Sequence, residues 1–270
     1  MIHNMSKRRV VKQAVYGGIY LIIAVVVIVG GVRLWNNAGS PAVSATPTPF
    51  AVKYQEIVIE DLQVINHPTT TLGIGNTIDV VMRLKNPNAA AGIIEYPVEF
   101  MLKDSSGNTI TSKKESTYIL PGAVQYVLAL GVPIGNASVS RVEVVTPQNP
   151  EYVDITADIP LPRFSSFARS RSNRSIGDTV VEEQLGTIKN DSTVDWHKVE
   201  MVAIALTAEN KVVGAGKTFV GDLRVGEQRD FTIQWPATSA STAKVLLVPS
   251  TNIFEEENIL RMIGNPESLR

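Results

Sequence analysis

The chain has 270 residues, 44% hydrophobic and 19% charged, a globular balance with enough sequence for one large core or two modest ones. It has no cysteine, which excludes a disulfide framework, a thiolate nucleophile and any cysteine metal site. Residues 1–50 hold no acid and five of the 25 basic residues, so the remaining 220 carry 20 basic and 26 acidic side chains, a net of −6. That balance speaks against nucleic-acid binding, which needs clustered basic charge.

Ala14 to Val32 reads AVYGGIYLIIAVVVIVGGV, 19 residues without a charge. At about 1.5 Å per residue in a helix, it matches the roughly 30 Å hydrocarbon core of a bilayer. Lys7, Arg8, Arg9 and Lys12 precede it. By the positive-inside tendency the N-terminus is expected to stay in the cytoplasm, with everything after Arg33 outside. Trp35 stands where an interfacial aromatic belongs. A cleaved signal is the competing reading, but the small-residue site at Val43 and Ala45 lies 13 residues beyond Val32, whereas a signal peptide usually has its cleavage site close behind a shorter apolar region, which favours an uncleaved anchor. Arg8-Arg9 resembles a twin-arginine signal only in part, since Lys12 falls where that motif takes an apolar residue. The expectation is a basic segment over 1–13, an uncleaved transmembrane helix over 14–32 and a Pro/Ser/Ala-rich tether over 33–52.

After the tether, period-two alternation, β-branched residues and frequent turn signals predict an all-β chain. The pattern is written twice. At an offset of 104, Lys85-Asn86 meets Lys189-Asn190 and Gly122 meets Gly226, so the Asn-to-Gly spacing is 36 in both halves. We therefore expect two tandem Ig-like β-sandwiches, at 53–148 and 150–250, with a C-terminal tail at 251–270. The same offset predicts that Val98, Phe100 and Leu102 face one core, and Val202, Ile204 and Leu206 the other. A later strand is expected to contribute Tyr126, Leu128 and Leu130 in the first copy and Phe231, Ile233 and Trp235 in the second. The short connection around TPQNPEY suggests limited freedom between the copies. In the tail, FEEENILRMI is either a frayed end or a short docking helix.

Asp104, in EFMLKDSSGNTI, closes a strand before a turn composition, which predicts turn capping rather than catalysis. Phe100-Met101-Leu102-Lys103-Asp104, the preceding LKNPN and the following LPG together resemble the signature of the FxLyD domain. That resemblance implies a small Ig-like sandwich of exported or membrane-anchored bacterial and archaeal proteins. Related water-stress and late-embryogenesis sandwiches share the topology. In the second copy Ile204 and Ala208 depart from the family's Phe and Asp.

Other motifs carry less. KVVGAGKT at 211–218 resembles the end of a P-loop, but Lys211 stands where the first glycine belongs and a strand, not a helix, is expected to follow. GIGNTI lacks the third glycine of a dinucleotide motif and reads as a turn. His3, His67 and His197 are isolated in sequence, without converging ligands. Alternation sends Trp196 inward and exposes His197 beside Asp195. Adjacent Glu182 and Glu183 point to opposite faces of a strand. No catalytic, cofactor-binding or metal-ligating residues are assigned, and no cofactor is expected. RFSSFARSRSNRS at 163–175 differs in kind, with Arg163, Arg169, Arg171 and Arg174, no acid, and Phe164 and Phe167. The first copy has no equivalent run. It is either a long inter-strand loop or edge at the start of the second sandwich, or a contact site for an envelope protein, a polyanionic polymer or lipid headgroups. The sequence thus predicts a non-enzymatic binding or assembly module of the cell envelope. A structural spacer and an envelope hydrolase are the alternatives.

Overall fold

The computed structural model describes residues 54–67, 76–156, 159–177 and 179–260, and within them the chain is all-β. The expected membrane helix, its flanking Lys7, Arg8, Arg9, Lys12 and Trp35, and the tether lie outside the described residues. Among the described residues no helix is long and apolar enough to cross a membrane.

The described residues form one compact unit. Its first copy contains β1 (Val58–His67), β2 (Asn76–Lys85), β3 (Ala91–Lys103), β4 (Thr109–Ile119), β5 (Val124–Gly135), β6 (Arg141–Val145) and β7 (Tyr152–Asp154). The second contains β8 (Phe164–Ile176), β9 (Thr179–Asn190), β10 (Asp195–Leu206), β11 (Val212–Leu223), β12 (Gln228–Pro236), β13 (Lys244–Ser250) and β14 (Ile259–Leu260). Sheet I is β4-β3-β6 with β7 beside β3, and sheet II is β1-β2-β5. Sheet III is β11-β10-β13 with β14 beside β10, and sheet IV is β12-β9-β8. Every pairing is antiparallel.

The pairings move the expected boundaries outward. β7 pairs with Ala91–Ile93 and extends the first sandwich to Asp154. β14 pairs with Asp195 and Trp196, and Ile253 is buried in the second core, so residues 251–260 belong to that sandwich. They form a single 3-10 turn at Glu256–Asn258 followed by a strand, neither a frayed end nor a docking helix. The apolar residues flanking this acidic stretch find buried partners, and that favours extended pairing over a helix.

Three apolar clusters hold four layers together. Ile78, Val80, Met82 and Leu84 of β2 meet Val98, Phe100 and Leu102 of β3 between sheets I and II. Trp196, Met201, Ala203 and Ala205 of β10 meet Phe231, Ile233 and Trp235 of β12 between sheets III and IV. The third cluster joins the two sandwiches: Ile65, Val81 and Leu128 from sheet II pack on Val202, Ile204, Leu206, Val212 and Ala215 from sheet III, with Tyr126, Leu130 and Val248 at its border. Sheets II and III are therefore covered on both faces, and their central strands carry near-continuous apolar runs, IDVVMRL in β2 and VEMVAIAL in β10.

This corrects two expectations. Val202, Ile204 and Leu206 do not line the core of their own sandwich, and neither do Tyr126, Leu128 and Leu130. Both sets face the seam between sandwiches. The cause in β10 is a one-residue shortening of the loop after Asn190, which reverses the pleat of the strand that follows. The buried Asn86 donates its Nδ2 to the carbonyls of Ala91 and Leu120 at 2.7 and 2.9 Å. The buried Asn190 donates to those of Val194 and Leu223 at 2.8 and 3.0 Å, so the equivalent residues differ by 103, not 104. One extra residue in the turn before Gly226 restores the offset. Each asparagine also accepts from the backbone N–H two residues on, Asn88 or Ser192, at 2.9 Å.

The same shift resolves the Asp104 turn. Asp104 Oδ1 accepts the N–H groups of Ser106 and Asn108 at 2.8 and 2.9 Å. Its counterpart is Thr207, one residue before the expected Ala208: Thr207 Oγ1 accepts from Glu209 and Lys211 at 3.3 Å. The left-handed positions are Gly107 (φ 86°) and Asn210 (φ 66°), again 103 apart. Asp104 is thus a turn cap in a position filled in both copies. Hydrogen bonds from the Asn108 side chain, and then from backbone N–H groups, hold its carboxyl below the usual aspartate range. A depressed carboxyl contributes stability above its unfolded pKa and loses it as pH falls through the folded value. By NMR titration Asp104 should titrate below a free aspartate, and Asn108→Ala should move its midpoint upward. An unmoved midpoint would remove Asn108 as the cause.

The KVVGAGKT segment lies in β11, where its glycines serve packing. A Cβ at Gly216 would sit 2.5 Å from the Gln234 carbonyl oxygen, and one at Gly214 would overlap the buried Trp235 ring. Gly214→Ala should lower the urea midpoint by an amount worth roughly 1–3 kcal/mol through overpacking. An unchanged midpoint would show that the ring can yield.

Candidate functional site

β8 lies at the free edge of sheet IV, with β9 as its one neighbour. It spans 13 residues, and 167–176 are all exposed. Alternation, reset once by a bulge between Ala168 and Ser170, divides the expected contact residues between faces. Phe164 turns inward against the second core. Phe167 turns outward and is 56% exposed. Arg163 precedes the strand and fastens it, its backbone N–H donating to Ser192 Oγ at 2.7 Å.

Three arginines of β8 reach acids on their own sheet. Arg169 Nη1 lies 2.7 Å from Asp230 Oδ2 on β12, on the outer face. Arg174 Nη1 lies 3.8 Å from Glu183 Oε2 on the same face. Arg171 points inward, where Nη2 donates to the Thr242 carbonyl at 2.7 Å and Nε lies 3.8 Å from Glu182 Oε2. The Thr242 hydroxyl donates to the buried Glu182 carboxylate at 3.0 Å. The fold therefore gathers three of the four arginines and both phenylalanines on one strand, with Arg163 just before it, but does not present them as a single basic face. Glu182 and Glu183 take opposite faces, as expected. Hydrogen bonding from Thr187, and then the Arg169 guanidinium, hold the Asp230 carboxyl below its ordinary range. The Arg169–Asp230 pair is exposed and contributes about 0–1 kcal/mol, so Arg169 can exchange partners at little cost.

Two histidine–aspartate pairs were not legible in the sequence. His67 Nε2 lies 2.7 Å from Asp79 Oδ2, and both residues are buried on the seam face of sheet II. Asp79 Oδ1 also accepts the Gly131 N–H at 2.7 Å, pinning a bulge in β5. The separation of 12 positions between the partners obscures what strand pairing brings together. His197 is exposed, as alternation predicted, but its partner is Asp222 at 2.6 Å, because Asp195 caps the Val225 N–H instead. Trp196 is buried, and its indole N–H donates to Ser192 Oγ at 3.0 Å. Among the described residues no group of three His, Asp or Glu side chains could hold a metal ion.

The fold and this edge define a tandem β-sandwich protein with a long exposed strand on its second copy. No protein-family model and no curated protein matches the chain. Among solved structures it is similar to the crystal structure of red sea bream transglutaminase, at 10% identity and a TM-score of 0.24, over 74% of this chain and 30% of that one.

Proposed function

We propose that the protein is a membrane-anchored, extracytoplasmic, non-enzymatic binding or assembly module of the cell envelope. The observation that carries this reading is β8, a 13-residue edge strand exposed from 167 to 176 on a body of four packed sheets. An edge strand presents unpaired N–H and C=O groups, a surface to which an extended partner segment can add. The uncharged stretch over 14–32 and the cations before it support the anchor and its direction. The FxLyD likeness fits the same reading, since Asn86 and Asp104 perform the turn-building work its motif residues imply. No cofactor is invoked, and the partner we expect is an envelope protein rather than nucleic acid. A polyanionic envelope polymer is the other class that the arginines could meet.

The test is cross-linking of the full-length chain in its native membrane, with the segment through residue 52 alone as control. Arg169→Glu with Arg174→Glu should sharply reduce partner recovery, and undiminished recovery would defeat the reading. A rigid spacer is the second reading, and the apolar seam favours it because the sandwiches cannot swing freely across it. A spacer would tolerate the reversal without loss.

A further inference from the structure

We infer that the partner of the β8 edge is the β1 edge of a second copy of this chain, so that molecules add head to tail through their sheets. The inference rests on the binding-module reading and names its partner. β1 and β8 occupy the same place in the two sandwiches, each at the edge of a three-stranded sheet with one neighbour. They carry opposite charge. β1 holds Glu60 and Asp61 and no Lys or Arg, whereas β8 holds Arg169, Arg171 and Arg174 and no acid.

The free parts of the two edges also correspond. The second half of β1 turns toward the seam, where Gln63 Oε1 accepts the Val212 N–H at 2.9 Å. The first half, Val58 to Asp61, is exposed, and its Val58 and Ile59 side chains are 47% and 42% accessible. On β8 the exposed part is 167–176, where the small Ala168, Ser170, Ser172 and Ser175 stand beside the arginines. Small side chains there let another backbone approach, while the arginines are held back on their own sheet by Asp230, Glu182 and Glu183. Glu60 is likewise held by Arg83 at 2.8 Å. The Arg169–Asp230 pair is exposed on both sides and cheap to exchange, so an acid of an incoming β1 can take over Arg169, whereas Arg171 stays with the buried Glu182.

Charge also selects against the symmetric alternatives. Pairing β8 with another β8 sets arginine against arginine, and pairing β1 with β1 sets acid against acid, both unfavourable across strands. The contact joins two different surfaces, so each added molecule leaves one β1 and one β8 free. Rows, or rings if the rotation closes, are the expected assemblies, weakened by salt as exposed charge pairs are screened.

The experiment places a photo-activated cross-linking residue at the exposed Ser172 of the full-length chain in its native membrane. The expected product has twice the chain mass, with the link mapped to residues 54–61 of a second copy. Arg169→Glu with Arg174→Glu should reduce it by about tenfold, and pairing that chain with one carrying Glu60→Arg and Asp61→Arg should restore it. Because the chain has no cysteine, Ile59→Cys combined in turn with Ser170→Cys, Ser172→Cys or Ser175→Cys gives a second readout. Mild oxidation should then produce a ladder, whereas each single variant should not. A link from Ser172 to β8 of the second copy would overturn head-to-tail pairing. A link only to a different protein would overturn the inference and leave the binding-module reading standing. No link at all would overturn both.

Discussion

Asn190→Ala should unfold the second sandwich at a much lower urea concentration than the parent chain. The buried amide donates to the carbonyls of Val194 and Leu223 and accepts the N–H of Ser192. Truncation leaves three backbone groups without this partner where water does not reach, at about 1–3 kcal/mol each. The sum is a large fraction of the roughly 5–15 kcal/mol that holds a typical domain. Asn190→Asp is the sharper variant. It keeps the shape and loses both donations, and it turns a carboxylate toward two carbonyl oxygens, a cost of roughly 3–5 kcal/mol or more. Asn86→Asp should act the same way in the first sandwich, through Ala91 and Leu120. Denaturant unfolding checks both variants. A loss below about 0.5 kcal/mol, the range of ordinary surface substitutions, would show that other groups satisfy these carbonyls.

Charging the seam should be comparably severe and different in kind. Ile204→Asp or Leu128→Asp places an unpaired carboxylate in the third cluster, at a cost of about 3–5 kcal/mol while the seam stays closed. Each sandwich retains its own core in these variants, so the expected outcome is separation of the two copies rather than loss of all β structure. Far-UV circular dichroism should stay close to the parent. Proteolysis should become faster between the sandwiches, and the unfolding transition should split into two. Val98→Asp is the contrasting control, since it strikes the first core and should remove the fold of that copy. One unsplit transition at the parent midpoint would show that the seam contributes little.

The repeat, the strand content, the turn chemistry of Asp104 and the burial of Trp196 were all legible in the sequence. They depend on local rules: a period of two, a side chain capping its own turn, an asparagine ending a strand. The matched spacing of 36 from asparagine to glycine was legible too, and it misled. A loop one residue shorter after Asn190 and a turn one residue longer before Gly226 leave the total unchanged while reversing the pleat of β10 between them. The apolar runs of β2 and β10 carried the correction, because strands covered on both faces do not alternate. The arginines of β8 were visible as a charge run. Their division between two faces, and their pairing with Asp230, Glu182 and Glu183, depends on a bulge and on strands up to about 60 residues away.

By itself, then, the sequence determined that the residues after 53 form two copies of a β-sandwich, since alternation and turn signals are local properties that each segment carries wherever it packs. Only the tertiary structure decided which apolar face of β5 and β10 fills a core and which joins the copies. That choice depends on pleat phase, which one residue in the loop after Asn190 reverses for β10. It likewise decided that His67 meets Asp79 and that β1 and β8 end as free edges, because strand order follows from pairing between segments far apart in the chain.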